Sequence, residues 1–173
     1  MESIVVRTER PEDYQAIDVV NLSAFEGDDE AKLIARLREQ AGYRADYSLV
    51  AEFNGRPVGH LLMTPGKCSQ QKGDIAIMII APMSVVPSQS HRGIGTALVE
   101  EAKKKAREEG MVAMIAVGEP GYYEHLGFEP ASKWDVRCNL PVPDDAVMLV
   151  ELDEGSLAGG GMVNYSAPFL SMY

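Results

Sequence analysis

The feature that most constrains the fold is a strand–turn–helix pattern over residues 74–109. It consists of an apolar strand, a polar turn that contains two glycines, and a charged helix. The segment 74–86, DIAIMIIAPMSVV, is apolar enough to form a central strand. Its Pro82 cannot donate a ladder hydrogen bond, so we expect the strand to bulge or to leave a neighbour nearby. A helical pattern then covers residues 93–109, with apolar side chains every four residues from Ile94.

The two glycines at the start of this helix, Gly93 and Gly95, need a physical reason. Each costs up to about 1 kcal/mol relative to alanine inside a helix, but glycine also lets another group touch the backbone. Free N–H groups at a helix N-terminus attract anions, and His91 and Arg92 place basic side chains beside them. The pattern predicts a phosphate or pyrophosphate site, and a tight turn with close packing is the alternative that uses the same glycines.

Strand and helix patterns alternate along the chain, which predicts an α/β (α+β) fold in one domain. The spacing predicts a strand over residues 4–8, helices over 11–25 and 27–42, and a hairpin over 47–68 that turns at Asn54-Gly55. Further strands are expected over 111–117 and 146–152. A short helical turn is expected in the segment GYYEHLGF, with its glycine as the stop signal.

Charge and cysteine content exclude several classes of protein. The 173 residues carry a formal net charge of -10, opposite in sign to that of a general nucleic-acid binder. Two cysteines without a CxxC pattern indicate a reducing compartment, and no apolar run approaches the ~18 residues of a membrane span. The N-terminal MESIVVRTER lacks the apolar region of a signal peptide. We therefore expect a cytoplasmic protein with no nucleic-acid, membrane or metal site, since the three histidines lack metal-ligand spacing.

Two common phosphate-binding motifs fit the chain poorly. No GxxxxGK[ST] segment is present, and Leu98 stands where a dinucleotide-binding G-x-G-x-x-G segment has its third glycine. The segment 83–102, MSVVPSQSHRGIGTALVEEA, instead resembles the acetyl-CoA motif of the GCN5-related N-acetyltransferases (GNAT). A second segment, YYEHLGFEP over 122–130, is similar to the Tyr-x-x-x-Gly-Phe element of that family, and several stretches resemble its YhbS-like branch. Ser90 departs from the motif, because the family has Gln or Arg three residues before the first glycine.

The resemblance implies a single GNAT domain over residues 1–173, with an acetyl-CoA motif over 79–109 and the Tyr-x-x-x-Gly-Phe segment over 121–130. It implies a mixed, mostly antiparallel sheet that splays at the acetyl-CoA site, with helices on both faces. Main-chain groups of one strand would pair with the pantetheine arm, and amides at the helix start would hold the pyrophosphate. The cofactor-binding residues so implied are Met83, Ser84, Val85, Ser90, His91, Arg92, Gly93, Ile94, Gly95 and Thr96.

The resemblance also implies a reaction, in which a neutral amine attacks the thioester of acetyl-CoA. Tyr123 occupies the family's general-acid position, and a phenol is protonated at neutral pH. Its neighbour Tyr122 is expected in a core or pocket role. Glu52 and Glu119 are the carboxylates considered as bases, and both are better explained as solvated charges.

Three functions follow for comparison. The first is an acetyl-CoA-dependent N-acetyltransferase acting on a primary amine of a small molecule or peptide. The second is a non-catalytic acyl-CoA-binding regulatory protein, which the departure at Ser90 and the lack of an evident base allow. The third, an acetyltransferase toxin acting on charged tRNA, needs a basic surface and conflicts with the net charge. Dimers are common in the family, so a homodimer is a further expectation of the resemblance.

Overall fold

The structure is a computed structural model of the chain and describes residues 3–173. The chain divides into two compact units. Unit 1 comprises the residues up to Met63 together with Ala81–Ala102, and unit 2 comprises Thr64–Ile80 together with Lys103–Tyr173. That residues 1–173 act as a single domain stays a prediction.

Unit 1 contains two strands and two helices of its own, namely β1 (Ile4–Thr8), α1 (Tyr14–Ala24), α2 (Asp29–Arg38) and β2 (Ser48–Phe53). Three longer elements continue from one unit into the other: β3 (Arg56–Gln70), β4 (Gly73–Val85) and α3 (Ile94–Glu108). The β2–β3 hairpin turns at Asn54 and Gly55, whose φ angles of 51° and 82° suit a two-residue turn. The predicted hairpin and its turn are therefore confirmed.

The core of unit 1 comes from the apolar faces of its helices and the inner positions of its strands. Helix α1 buries Ile17 and Val20, and α2 buries Leu33, Ile34 and Leu37. This apolar spacing of three and four residues is the periodicity that predicted both helices. Burial of such a side chain stabilises the fold by about 1.5–3 kcal/mol relative to exposure.

Unit 2 contains the remaining strands and α-helices of the described residues, namely β5 (Ala113–Val117), α4 (Pro120–His125), β6 (Glu129–Pro130), β7 (Val136–Cys138), β8 (Val147–Glu151), β9 (Gly161–Val163) and α5 (Ala167–Leu170). Strand β5 pairs antiparallel with β8 over its full length. Its parallel register with β4 joins Ile77–Ile79 to Ala113–Ile115. Pro82 lies beyond that register, in agreement with the prediction that the strand leaves a neighbour near this proline.

The nine strands found within residues 3–173 form a mixed and mostly antiparallel sheet. The hydrogen-bonded order is β1-β2-β3-β4-β5-β8-β6, and β9 pairs with both β3 and β7. Only the β4–β5 and β7–β9 pairs among the described residues are parallel. The predicted fold class is therefore confirmed. Within residues 3–173, no helix has the length and apolar character that crossing a membrane requires.

Candidate active site

The predicted pyrophosphate segment lies in unit 1 as an exposed turn between β4 and α3. A short 3-10 turn over Pro87–Gln89 follows the strand, and residues 90–93 then lead into the helix. His91 and Gly93 adopt left-handed backbone conformations, with φ of 68° and 80°, on either side of Arg92. Turns of this kind aim successive N–H groups toward one concave side, where an anion can bind.

Gly93 marks the start of α3, because its carbonyl accepts the first helical hydrogen bond from the amide of Ala97 at 3.0 Å. A Cβ added at Gly93 would have no neighbour within 4 Å, so packing does not require a glycine there. The left-handed φ does favour glycine, since this conformation costs other L-residues roughly 1–2 kcal/mol. The glycine that close packing requires is Gly59 on β3, where a Cβ would lie 2.8 Å from Ile94 Cγ2.

Two of the side chains in this turn contact other residues of the protein. The Ser90 hydroxyl donates to the Pro87 carbonyl at 2.9 Å, so it closes its own turn. The Arg92 guanidinium lies 4.8 Å from the centre of the Phe53 ring. Gln89 buries an amide oxygen that has no hydrogen-bond partner within residues 3–173. Such an acceptor is a position where a ligand N–H or a water can bind.

The strand end that precedes the turn is buried on both faces, because successive side chains of a strand point to opposite sides. Met83 is 6% exposed and Ser84 is 3% exposed. The Ser84 hydroxyl donates to Asn21 Oδ1 at 3.0 Å, so this side chain is committed to the interior of unit 1. Any part that Ser84 takes in cofactor binding would therefore fall to its main chain.

The predicted general acid, Tyr123, lies in unit 2 on α4. Its ring packs edge-on against Tyr122 and Phe128, with centroids 5.4 and 5.3 Å away. The backbone of Gly118 approaches the same ring so closely that a Cβ there would lie 2.7 Å from Tyr123 Cε2. Burial raises the pKa of the Tyr123 phenol, with smaller contributions from Tyr122 and Tyr173. A phenol held neutral in this way is a proton donor at physiological pH.

The expectations for Tyr122 and for the two carboxylates considered as bases can now be compared with the structure. Tyr122 is 43% exposed, so it does not lie in the core, and its alternative role in a pocket stays a prediction. Glu52 lies 3.5 Å from an Arg7 guanidinium nitrogen, and Glu119 is exposed. Glu52 is therefore an ion-pair partner rather than a free base. Within residues 3–173, no cluster of His, Cys, Asp and Glu is arranged to hold a metal ion.

Sequence reasoning missed several residues that shape these segments. Gly59 and Gly118 both lie where another group approaches the backbone. An isolated glycine within a strand pattern is the general signal for such an approach, and Gly59 carries it. The link between Asn21 and Ser84 has no local signal, because the two residues are far apart in the chain.

The fold therefore combines a mixed sheet with a strand, an exposed turn that contains two left-handed residues, and a helix that starts directly after that turn. The chain belongs to the acetyltransferase (GNAT) family, whose model matches residues 14–128. The N-acetyltransferase family predicted from the two motifs is therefore confirmed.

Individual relatives agree with this family assignment. YhbS of Escherichia coli (strain K12), described as an uncharacterised N-acetyltransferase, is 30% identical over 167 residues, which are 96% of this chain and 98% of the relative. A crystal structure of Escherichia coli YhbS in complex with CoA matches with a TM-score of 0.87 and 31% identity, and covers 98% of this chain and 93% of that one. A GNAT family acetyltransferase from Brucella melitensis in complex with acetyl-CoA matches with a TM-score of 0.74 and 25% identity, and covers 96% and 98% of the two chains.

Proposed function

We propose that this protein is an acetyl-CoA-dependent N-acetyltransferase that transfers the acetyl group to a primary amine of a small molecule or peptide by direct attack in a ternary complex. The observation that carries the proposal is the exposed turn at the start of α3. Its two left-handed residues, His91 and Gly93, precede a fifteen-residue helix in a chain similar to a CoA-bound relative. The free N–H groups and the dipole of such a helix favour a phosphate.

The residues of unit 1 fit the cofactor in several respects. The turn is exposed, carries two basic side chains and has no Cβ at Gly93. Main-chain amides from His91 to Thr96 would hold the pyrophosphate. Main-chain groups of Met83 and Val85 would pair with the pantetheine arm, and a main-chain N–H of this strand would donate to the thioester oxygen.

Acetyl-CoA would supply the acetyl group as an activated thioester. Tyr123 would hold a proton on its hydroxyl oxygen and give it to the departing thiolate. Because burial raises the pKa of this phenol, the proton is retained throughout the neutral range. The amine must lose its own proton before it attacks, and a chain of water molecules would carry that proton to solvent.

The overall charge supports the proposed kind of acceptor. A net charge of -10 attracts cationic amines and repels nucleic acids. The cytoplasmic location and the homodimer stay predictions of the sequence and of the family resemblance.

The proposal is tested by measuring CoA release from acetyl-CoA with a panel of polyamines, amino acids and peptides with free N-termini. We expect at least one amine to be acetylated. Tyr123→Phe should slow transfer by about 10²-fold or more, the range of general acid catalysis, and leave the acetyl-CoA Kd unchanged. Tyr122→Phe is the matched control on the same helix and should behave as the wild type.

The outcome against the proposal is tight acetyl-CoA binding without transfer to any amine of the panel. That result would favour the non-catalytic acyl-CoA-binding regulatory protein. Salt-sensitive binding of tRNA would instead favour the toxin, since phosphate contacts weaken steeply with salt.

A further inference from the structure

Five polar side chains are buried in unit 1 and form a continuous line of hydrogen bonds from β4 to the residue after β1. Glu9, Asn21, Ser48, His60 and Ser84 are each between 0% and 5% exposed. Polar groups at such depth destabilise a fold unless they are hydrogen-bonded. Glu9, Ser48 and His60 lie outside the two family motifs, and the proposed mechanism uses none of their side chains.

The line begins at the Glu9 carboxylate, which accepts hydrogen bonds from three side chains. Arg38 donates to Oε1 at 2.9 Å, and Tyr43 donates to Oε2. The third donor is the Ser48 hydroxyl, 2.9 Å from Oε1. Glu9 forms an ion pair with Arg38, and a carboxylate can only accept hydrogen bonds.

The direction of each hydrogen bond then determines which atom donates in the next one. Because the Ser48 hydrogen points to Glu9, its oxygen accepts from His60 Nε2 at 2.9 Å. His60 Nδ1 is consequently the unprotonated nitrogen, and it faces the Asn21 amide nitrogen at 3.4 Å. Asn21 Oδ1 accepts the Ser84 hydroxyl at 3.0 Å. The network thus assigns one neutral tautomer to His60 and one orientation to the Asn21 amide.

We propose that Asn21 and Ser84 are positioning residues for the end of β4, where the main chain would bind acetyl-CoA. The hydrogen-bonded line that starts at Glu9 holds both side chains in place. The inference rests on the proposed function, in which the main chain of Met83 and Val85 holds the pantetheine arm. Ser84 lies between those two residues, and beyond the part of β4 that pairs with β5. The Ser84 hydroxyl therefore links this end of β4 to α1 through its hydrogen bond with Asn21. Asn21 in turn contacts His60, which lies on β3.

This role differs from a purely structural one in a measurable way. A structural hydrogen bond contributes to the free energy of unfolding and leaves the ligand affinity of the folded protein unchanged. A positioning bond sets where the main chain of residues 83–85 lies, so its loss changes the affinity for acetyl-CoA. The two effects separate when binding is measured well below the unfolding temperature.

The experiment compares Ser84→Ala with Ser84→Thr, which keeps the hydroxyl, and with Ser23→Ala. Ser23 is the matched control, because its hydroxyl donates within α1 to the Val20 carbonyl at 2.7 Å and lies outside the line. We expect Ser84→Ala to raise the acetyl-CoA Kd and KM at least fivefold, with the KM for the amine within twofold of the wild type. Ser84→Thr should restore most of the affinity, and Ser23→Ala should change none of these constants.

Asn21→Ala, alone and combined with Ser84→Ala, completes a double-mutant cycle. If both residues act through one bond, the double variant should weaken acetyl-CoA binding by less than the product of the two single effects. Independent, multiplicative effects would contradict the proposal. So would a folded Ser84→Ala variant with reduced stability and wild-type affinity for acetyl-CoA.

Nitrogen-15 NMR of the wild-type imidazoles tests the line without relying on a variant that folds. His60, identified by comparison with His60→Gln, should show the neutral Nε2–H tautomer at pH 7. The Nδ1–H tautomer would overturn the assigned line even if Ser84→Ala proved insoluble. Failure of the wild type to bind acetyl-CoA at all is a separate result, which would overturn the proposed function and this inference with it.

Discussion

At the scale of single residues, burial distinguishes basic side chains that look alike in the sequence. His60, His91 and Arg92 are all basic residues near the centre of the chain, but His60 is fully buried and the other two are exposed. Burial, with a smaller effect of the Arg38 charge, lowers the pKa of His60 to about 3. His60 is therefore a neutral hydrogen-bonding group at physiological pH rather than an acid or base.

The lowered pKa of His60 predicts how the free energy of unfolding changes in acid. Below the ordinary pKa of about 6.5, the unfolded state binds a proton that the folded state refuses until about pH 3. Stability should therefore fall through this window, at up to about 1.4 kcal/mol per pH unit from this residue. Denaturant titrations at several pH values between 7 and 4 give the free energy of unfolding as a function of pH. For His60→Gln this free energy should fall less steeply with decreasing pH than for the wild type, by about that amount. Equal slopes for the two proteins would contradict the assignment.

Gly118 makes a second prediction at the residue scale, because its bare backbone sets the position of the Tyr123 ring. A Cβ would lie 2.7 Å from Tyr123 Cε2, so Gly118→Ala should displace the proposed acid. We expect kcat to fall at least tenfold while the acetyl-CoA Kd stays within twofold. Gly121→Ala is the control on α4, where a Cβ meets nothing within 4 Å. Equal kcat values for the two variants would show that the ring position is unimportant.

At the scale of elements, α3 combines an exposed first turn with a tightly packed inner face. Ile94 is 1% exposed and packs on Gly59 of β3, while His91 to Gly93 just before it are exposed. The helix is thus held by the packing of its side chains, while the turn that precedes it stays exposed. The close contact explains why a strand otherwise rich in apolar residues contains a glycine.

This packing predicts the result of adding one methyl group to β3. Gly59→Ala places a Cβ 2.8 Å from Ile94 Cγ2 and 3.1 Å from Leu98 Cδ1, so the Ile94 side chain or the backbone of β3 or α3 must shift. Overpacking of this kind typically costs about 1–3 kcal/mol. Urea denaturation should show this loss for Gly59→Ala and little change for Gly42→Ala, where the site is open. Similar stabilities of the two variants would mean that the helix accommodates the methyl group without cost.

Elements with strong local signals could be predicted from the sequence. Strand β1 occupies the predicted residues 4–8, and α3 begins and ends within one residue of its predicted range. The Asn54-Gly55 turn fixes its hairpin through two left-handed residues. The line from Glu9 to Ser84 could not be predicted, because it joins five segments that only tertiary packing brings together. The exposure of Tyr122 could not be predicted for a related reason, since adjacent aromatic residues in a short helix carry no signal for which one is buried.

At the scale of the whole molecule, membership of the family defines the reaction class, acetyl transfer, but it does not identify the amine that accepts the acetyl group. The family model matches residues 14–128, a range that contains the turn before α3 and Tyr123. The acidic composition favours a cationic amine, and the amine panel is the direct route to its identity.

The central claim is that backbone amides at the start of α3 hold the pyrophosphate of acetyl-CoA, and calorimetric titration with acetyl-CoA tests it most directly. Ser90→Ala should bind within about threefold of the wild type, because the Ser90 hydroxyl is engaged by the Pro87 carbonyl at 2.9 Å. Gly95→Leu should bind at least tenfold more weakly, since a bulky side chain in the first turn blocks access to those amides. Gly42→Leu, at an open turn elsewhere, controls for the added side chain. Equal losses of affinity for Ser90→Ala and Gly95→Leu, or none for either, would contradict the account.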